Sequence, residues 1–173
     1  YAIDRKSIID KIVYGMGTPI QSHIFIKSRF HNSDLPEIPY DMNKAKQMLL
    51  EAGWKDTDGD GIIDKVIEGK KTDFRFTFTN NTNPKRKKVI LILIEQLKQL
   101  GIEANIQEYE WSVFLEKIKK HQFDACFAGW QLTVTPDDPY QIWHSSQATG
   151  EGSNHFSYIN PESDKLLEEN RME

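Results

Sequence analysis

At 173 residues the chain fits one ordinary domain, or a domain with an appendage. Its 22 Lys and Arg stand against 26 Asp and Glu, a formal net charge of −4, so it lacks the basic excess of a phosphate-backbone binder and no nucleic-acid partner is expected. Apolar residues make up 38% of the chain, enough for a core, yet the longest apolar run, Val89 to Ile94, is six residues, far too short to span a membrane.

Taken in chain order, Asp4 offers a helix cap, and Ile8, Ile9, Ile12 and Val13 recur at helical spacing before Gly15 and Gly17. From Thr18 to Pro39 the periodicity stops. Pro19, Pro36 and Pro39 among polar residues predict a long irregular connection of the kind that carries function or lies along an interface. A second helix is expected from Asp41, with Ala45, Met48, Leu49 and Ala52 on one face and Gly53 as its stop. Phe74, Phe76 and Phe78 then alternate with Arg75, Thr77 and Thr79 as a strand. Asn83-Pro84 opens a helix running to Leu100, with Gly101 behind it. Ile102, Ala104 and Ile106 predict a second strand, Trp111, Phe114, Leu115 and Ile118 a further helix, and Asp124 to Gly129 a fully buried third strand holding the single cysteine, Cys126. One cysteine allows no internal disulfide, and this one reads as a small core residue. Strands alternating with helices through short joins require right-handed crossovers, so the expected fold class is α/β with a largely parallel sheet flanked by helices.

That architecture selects a place. Ligands of open α/β sheets collect at the carboxyl ends of the strands. Here those ends are Asn80-Asn81, Glu108 to Trp111, and Trp130-Gln131. Two indoles and several amides on one rim provide flat apolar faces together with donors and acceptors. For Trp111 a second reading stands beside this one: it opens an amphipathic helix and packs inward.

Asp56-Thr57-Asp58-Gly59-Asp60-Gly61-Ile62-Ile63-Asp64 is the sharpest local motif. Asp56, Asp58, Asp60 and Asp64 fall at positions 1, 3, 5 and 9 of a calcium loop, with Gly61 at position 6 and the Ile62 carbonyl at position 7. Position 12 is Ile67 where a bidentate Glu belongs, and Glu68 comes one place late. A structural calcium is one reading; an Asp/Gly turn with no ion is the other. No cofactor is otherwise required. The five histidines show no metal-ligand spacing, no nucleophile motif surrounds any Ser or Cys, and no Gly-rich phosphate loop follows a strand, so an enzyme is not expected. Tyr1 rather than Met opens the sequence, and its last residues still read as helix, so a piece of a longer protein is expected.

Several segments together resemble the extracytoplasmic solute-binding proteins of peptide, dipeptide and nickel ABC importers (family 5). They are Ala2-Ile3-Asp4-Arg5-Lys6 with Gly15-Met16-Gly17-Thr18-Pro19, then Tyr40-Asp41 through Lys44-Ala45 to Leu49-Leu50-Glu51-Ala52-Gly53-Trp54. Phe123-Asp124-Ala125 with Gly129-Trp130, Pro139-Tyr140, Trp143-His144-Ser145-Ser146, and Asn154, Tyr158, Asn160-Pro161 and Asp164 complete the set. In this order over almost the whole chain they are specific. The resemblance implies one lobe of a type II binding protein, a single ligand-binding unit over residues 1–173, with a peptide or other small solute held between it and a missing lobe. It further implies a periplasmic protein or a membrane-anchored lipoprotein at the cell surface, a membrane permease as partner, and a monomer. It places ligand contacts at Asn80, Trp111, Gly129 and Trp130, with Asn81, Gln131 and Thr133 beside them. Peptide-binding members carry Asp where this chain has Thr133, and some carry Arg where it has Phe127, so this chain departs at both positions from the usual grip on a free peptide terminus. Asp137 and Asp138 are the nearby carboxylates for that task. The alternative expectation, from another class, is a calcium-pinned extracellular interaction module with no role in transport.

Overall fold

The structure, a computed structural model, describes residues 1–131, 138–150 and 152–172. Its centre is a three-stranded, wholly parallel sheet in the order β4-β3-β5: β3 spans Arg75–Asn81, β4 Glu103–Tyr109 and β5 Ala125–Cys126. Phe76 and Phe78 of β3 lie opposite Ala104 and Ile106 of β4, and Phe78 lies opposite Ala125 on the other side. Helix α3 (Pro84–Lys98) carries the crossover from β3 to β4, and α4 (Trp111–Lys119) the one from β4 to β5. Asn83 caps α3 by accepting the amide protons of Lys85 and Arg86, with Pro84 in the first turn where a missing N–H costs nothing. Ile90 and Leu93 of α3 bury against Phe78 and Ala104, and Ile8 of α1 (Arg5–Ile12) closes that cluster. The α/β expectation holds.

The third strand is shorter and wetter than the sequence implies. Only Ala125 and Cys126 pair with β3, and both are half-buried. The reason is position: β5 is an edge, with β3 alone beside it. The Asp124 carboxylate accepts the Thr77 N–H at 2.9 Å, a side chain doing the work of a ladder carbonyl. Burial pushes the Cys126 thiol up, so it stays protonated and inert.

Two other readings change. Helix α2 (Met42–Glu51), capped by Asp41 on Lys44 N at 2.8 Å, buries Ala45, with Met42 and Leu49 packed beside it, while Met48 and Ala52 face solvent. The inward stripe is therefore one residue narrower on each turn than the full apolar set. A hairpin of β1 (Asp64–Ile67) and β2 (Lys70–Asp73), joined through Glu68 and Gly69 at φ 50° and 78°, follows the acidic loop. Its Val66 and Ile67 are exposed, so no buried face marks it in the sequence. Gly101, at φ +75°, ends α3 and takes the acidic loop against its backbone: its carbonyl accepts Ile63 N at 2.8 Å, and a Cβ there would meet the Gly61 carbonyl at 3.2 Å.

The stretch from 18 to 39 is irregular, as expected, and Arg5 ties it down. Its guanidinium donates to the carbonyls of Ile20 (3.2 Å) and Ile38 (2.9 Å), near the two ends of the stretch. The C-terminal part comprises α5 (Tyr140–Trp143), a 3-10 turn over Ser145–Ala148 and α6 (Pro161–Met172).

Candidate functional site

The parallel register sets the rim. Asn80 lies opposite Glu108 and Asn81 opposite Tyr109, so the carboxyl ends of β3 and β4 finish together, immediately before Asn83 caps α3 and Trp111 opens α4. Asn80 is 0% exposed, and neither atom of its carboxamide has a hydrogen-bond partner among the described residues. An unpaired buried amide costs roughly 1–3 kcal/mol, a strain that a folded protein keeps where something else satisfies the group. Side chains alternate along a strand, so Asn80 shares the face of Phe76 and Phe78, the face that α3 covers. Asn81, on the other parity, accepts from Arg86 Nη1 at 3.2 Å. Lys87 pairs with Glu108 across the same rim. The run of basic residues at the start of α3, which sequence reasoning passed over, thus sits at the strand ends.

Trp111 and Trp130 follow the carboxyl ends of β4 and β5 in the chain, and both are 52% exposed. Trp111 leans on the buried Phe114, with ring centroids 5.7 Å apart at 31°. It therefore does part of each task foreseen for it: it begins an amphipathic helix and also shows half its surface to solvent. Gly129 and Gln131 are exposed beside Trp130, and a Cβ on Gly129 would meet nothing within 4 Å among the described residues. The Trp130 indole lies nearly parallel to the His155 imidazole, 12° between planes and 6.3 Å between centroids. Sequence reasoning missed His155 because it comes from a turn far along the chain.

Thr133 and Asp137 lie outside the described residues. Asp138 is already committed: it accepts from Arg171 Nε at 2.8 Å and from Nη2, and that guanidinium holds its carboxyl below the usual carboxylate range. A carboxylate so engaged has little left for a solute's ammonium group. Phe127, where some relatives are expected to carry Arg, packs on the apolar core.

The acidic loop lies apart from this rim. Asp56, Asp58 and Asp64 each bring a carboxylate oxygen within 4.8 Å of the others; Asp60 and the Ile62 backbone take a different part, the Asp60 carboxylate accepting Ile62 N at 2.8 Å. Asp64 is almost fully buried and accepts from Thr57 Oγ1 and Thr57 N, contacts that, with Lys71, depress its pKa. Lys71, on β2, is bonded to Asp58 and lies 3.6 Å from Asp64. Three converging carboxylates fit a hard cation, but an ammonium already supplies one positive charge there.

The profile of the "Bacterial extracellular solute-binding proteins, family 5 Middle" matches residues 1–153. The chain belongs to this family. The oligopeptide-binding protein AppA of Bacillus subtilis is 43% identical over 173 residues, covering 97% of this chain and 31% of AppA. Heme-binding protein A of Haemophilus influenzae is 29% identical, covering 98% of this chain and 29% of that protein. The structure of B. subtilis AppA in complex with a nonapeptide superposes with a TM-score of 0.85 at 41% identity, covering 97% of this chain and 33% of that one. The chain thus spans about a third of the length of the family 5 relatives it matches. The sheet just described is part of the type II periplasmic binding-protein fold.

Proposed function

We propose that this chain is one ligand-binding lobe of an extracytoplasmic receptor that captures peptides for an ABC importer. The observation that carries the reading is the rim itself: two half-exposed indoles and an orphaned, buried carboxamide at the carboxyl ends of a parallel sheet, in a family 5 chain 43% identical to an oligopeptide-binding protein. On this reading the exposed faces of Trp111 and Trp130 cover apolar parts of the solute. The Asn80 amide, fully buried in the free lobe, pairs with the bound peptide's backbone or with a water it traps. Gly129, with no side chain, lets that backbone approach. With Thr133 in place of an acid and Asp138 held by Arg171, the grip falls on main chain and side chains rather than on a free amino terminus. Capture is expected without turnover, by a monomer docking on a membrane permease.

The receptor works outside the cytoplasmic membrane on this reading, held there as a secreted protein or by a lipid anchor. Among the described residues no helix is long and apolar enough to cross a membrane. The alternative of a calcium-pinned module without a transport role draws no support from the family match. A calcium ion in the acidic loop is kept as a separate, structural proposal: Asp56, Asp58 and Asp64 would hold it, and no part of solute capture depends on it.

Receptors of this kind close two lobes over the ligand by hinge motion, so one lobe alone forms half the contacts. Calorimetry with a nonapeptide panel tests the reading on the whole receptor and on residues 1–173. Tight binding by the whole receptor and at least a hundredfold weaker binding by the lobe is expected. Equally tight binding by both would overturn the requirement for a second lobe.

A further inference from the structure

The turn that brings His155 to Trp130 is bolted on two sides. Asn154, 0% exposed, donates from its side-chain amide to the carbonyls of His144 (3.2 Å) and Tyr158 (2.7 Å), and its side-chain oxygen accepts Tyr158 N at 3.0 Å. Its own backbone N–H donates to the Gln147 carbonyl at 3.1 Å. On the other side the Ser157 hydroxyl shares a 2.9 Å hydrogen bond with His121 Nδ1, just past the end of α4. Both residues hold left-handed backbone, φ 52° at Ser157 and 53° at His121, a conformation that persists only where surrounding contacts fix it. Trp130 is differently placed. It sits three residues beyond Phe127, whose N–H makes the last ladder bond described on this edge, to the Thr79 carbonyl at 3.3 Å. A half-exposed indole that far past its strand needs something behind it.

We propose that His155 is the positioning residue of the solute rim: its imidazole backs Trp130 and holds the opposite indole face toward the captured solute. The proposal rests on the reading of this rim as the peptide site. An offset stack at this spacing is worth a modest but measurable amount, and its value here is directional, since it fixes one ring plane before the solute arrives. The imidazole performs this task uncharged. It is partly buried, and His121 and Lys119 face it from the end of α4, and all three disfavour a proton on it, burial most. Its folded pKa therefore lies below the unfolded value of about 6.5. Above that value the stack is unopposed. As the pH falls through the lower folded value, charge is forced toward Lys119 and a second titratable ring, His121, and the backing weakens.

The test uses the whole receptor and two readouts. Trp130 emission is isolated as the difference between the protein and Trp130→Phe, and its quenching by acrylamide is compared in His155→Ala and His155→Phe at pH 7.5 and along an acid titration below 6.5 that follows the wild-type His155 ring by NMR. Affinity for a nonapeptide panel is measured on the same proteins. Removing the ring in His155→Ala should raise acrylamide quenching of Trp130 and weaken peptide binding about two- to tenfold. His155→Phe, a ring without a charge, should keep wild-type affinity at pH 7.5 and abolish the loss that wild type shows as the acid titration passes through the protonation of His155. The proposal is overturned when His155→Ala leaves the Trp130 emission and its quenching unchanged, or when His155→Phe follows the wild-type pH profile. Peptide affinity unmoved by Trp130→Ala, or no peptide bound by wild type, would instead sink the solute reading, and the emission comparison alone then decides the role of His155.

Discussion

The β3–α3–β4 unit and the segment from Asp138 to Met172 are held by different physics. In the first, an apolar cluster of Phe78, Ile90, Leu93 and Ala104 is buried alongside three polar residues, Thr79, Asn80 and Gln96. In the second, the buried residues are polar, His144 and Asn154, and neither α5 nor α6 buries an apolar side chain among the described residues. Directional contacts take the place of a core: Ser145 N donates to Asp164 at 2.9 Å, His144 Nε2 lies 3.4 Å from Glu168, and Tyr140 is stacked between His144 (4.1 Å) and the Arg171 guanidinium (3.7 Å). The contrast teaches that this fold is held by an apolar cluster in one region and by directional polar contacts in another. Apolar packing is insensitive to protons, whereas a lattice of carboxylates, imidazoles and amides is not.

The comparison can be broken in order of expected effect. Ile90→Ala should cost about 2–5 kcal/mol by denaturant unfolding, because it leaves a cavity in a packed cluster. Its loss should lower hydrogen-exchange protection in β3, α3 and β4 together. Asn154→Ala should cost about 1–3 kcal/mol, because it strands the Tyr158 amide and carbonyl and the His144 carbonyl. Exchange should rise mainly from 138 to 172, with the sheet keeping its protection. Equal loss of protection in both halves under Asn154→Ala would mean that they unfold as one unit and that the distinction is only descriptive.

Acid sharpens the same contrast. The Ser145 hydrogen bonds, ahead of the nearby His144, hold the Asp164 carboxyl below its ordinary value. Its folded pKa is thus lower than the unfolded value of about 3.9. The stability it contributes is complete above that unfolded value and is lost as pH falls toward the folded one, since the unfolded chain takes up the proton first. Asp164→Asn should therefore lower stability at neutral pH and flatten the acid limb below about pH 4. An unfolding curve with the same acid slope in both proteins would remove Asp164 from the account. Asn80→Leu is the smaller, opposite case in the sheet half. Replacing an orphaned buried amide by an apolar side chain of similar volume should be neutral or stabilise by about 1 kcal/mol, while weakening peptide binding by the whole receptor. A clear loss of stability would show that the amide has a structural partner, such as a buried water.

The sheet half was legible because its signals are periodic and local. Three alternating Phe, an Asn-Pro cap and a Gly stop name β3 and α3 without reference to anything distant. The β5 overreach shares that cause: Ala125 to Ala128 reads as a buried run, and nothing within it says that the strand is an edge. The β1–β2 hairpin escaped for the converse reason, since Val66 and Ile67 face solvent and leave no alternation to detect. At the candidate site the location followed from strand ends, so Asn80, Asn81 and Trp111 could be placed by topology alone. The backing of Trp130 by His155 and the engagement of Asp138 by Arg171 could not, because each joins residues far apart through a side-chain geometry that no periodicity encodes. The polar half is legible only in its motif order.

The smallest expected effect lies in the acidic loop, where the two kinds of stabilisation meet. Repulsion among Asp56, Asp58 and Asp64 is relieved in this fold by Lys71, which reaches back from β2 to Asp58 and Asp64. A calcium ion bound by the same carboxylates must displace that ammonium, so its net gain is reduced by the pairing it breaks. With millimolar calcium near the Kd of such a site, mass action adds only about 0.4 kcal/mol. The melting temperature should then rise by a degree or less between chelator and millimolar calcium. Lys71→Met removes the competitor and leaves the carboxylates unneutralised, so it should lower stability in chelator and enlarge the calcium-dependent rise. Adding Asp58→Asn to that variant should remove the rise. Melting curves insensitive to calcium in both wild type and Lys71→Met would make the loop an Asp/Gly turn neutralised by lysine, with no ion in its design.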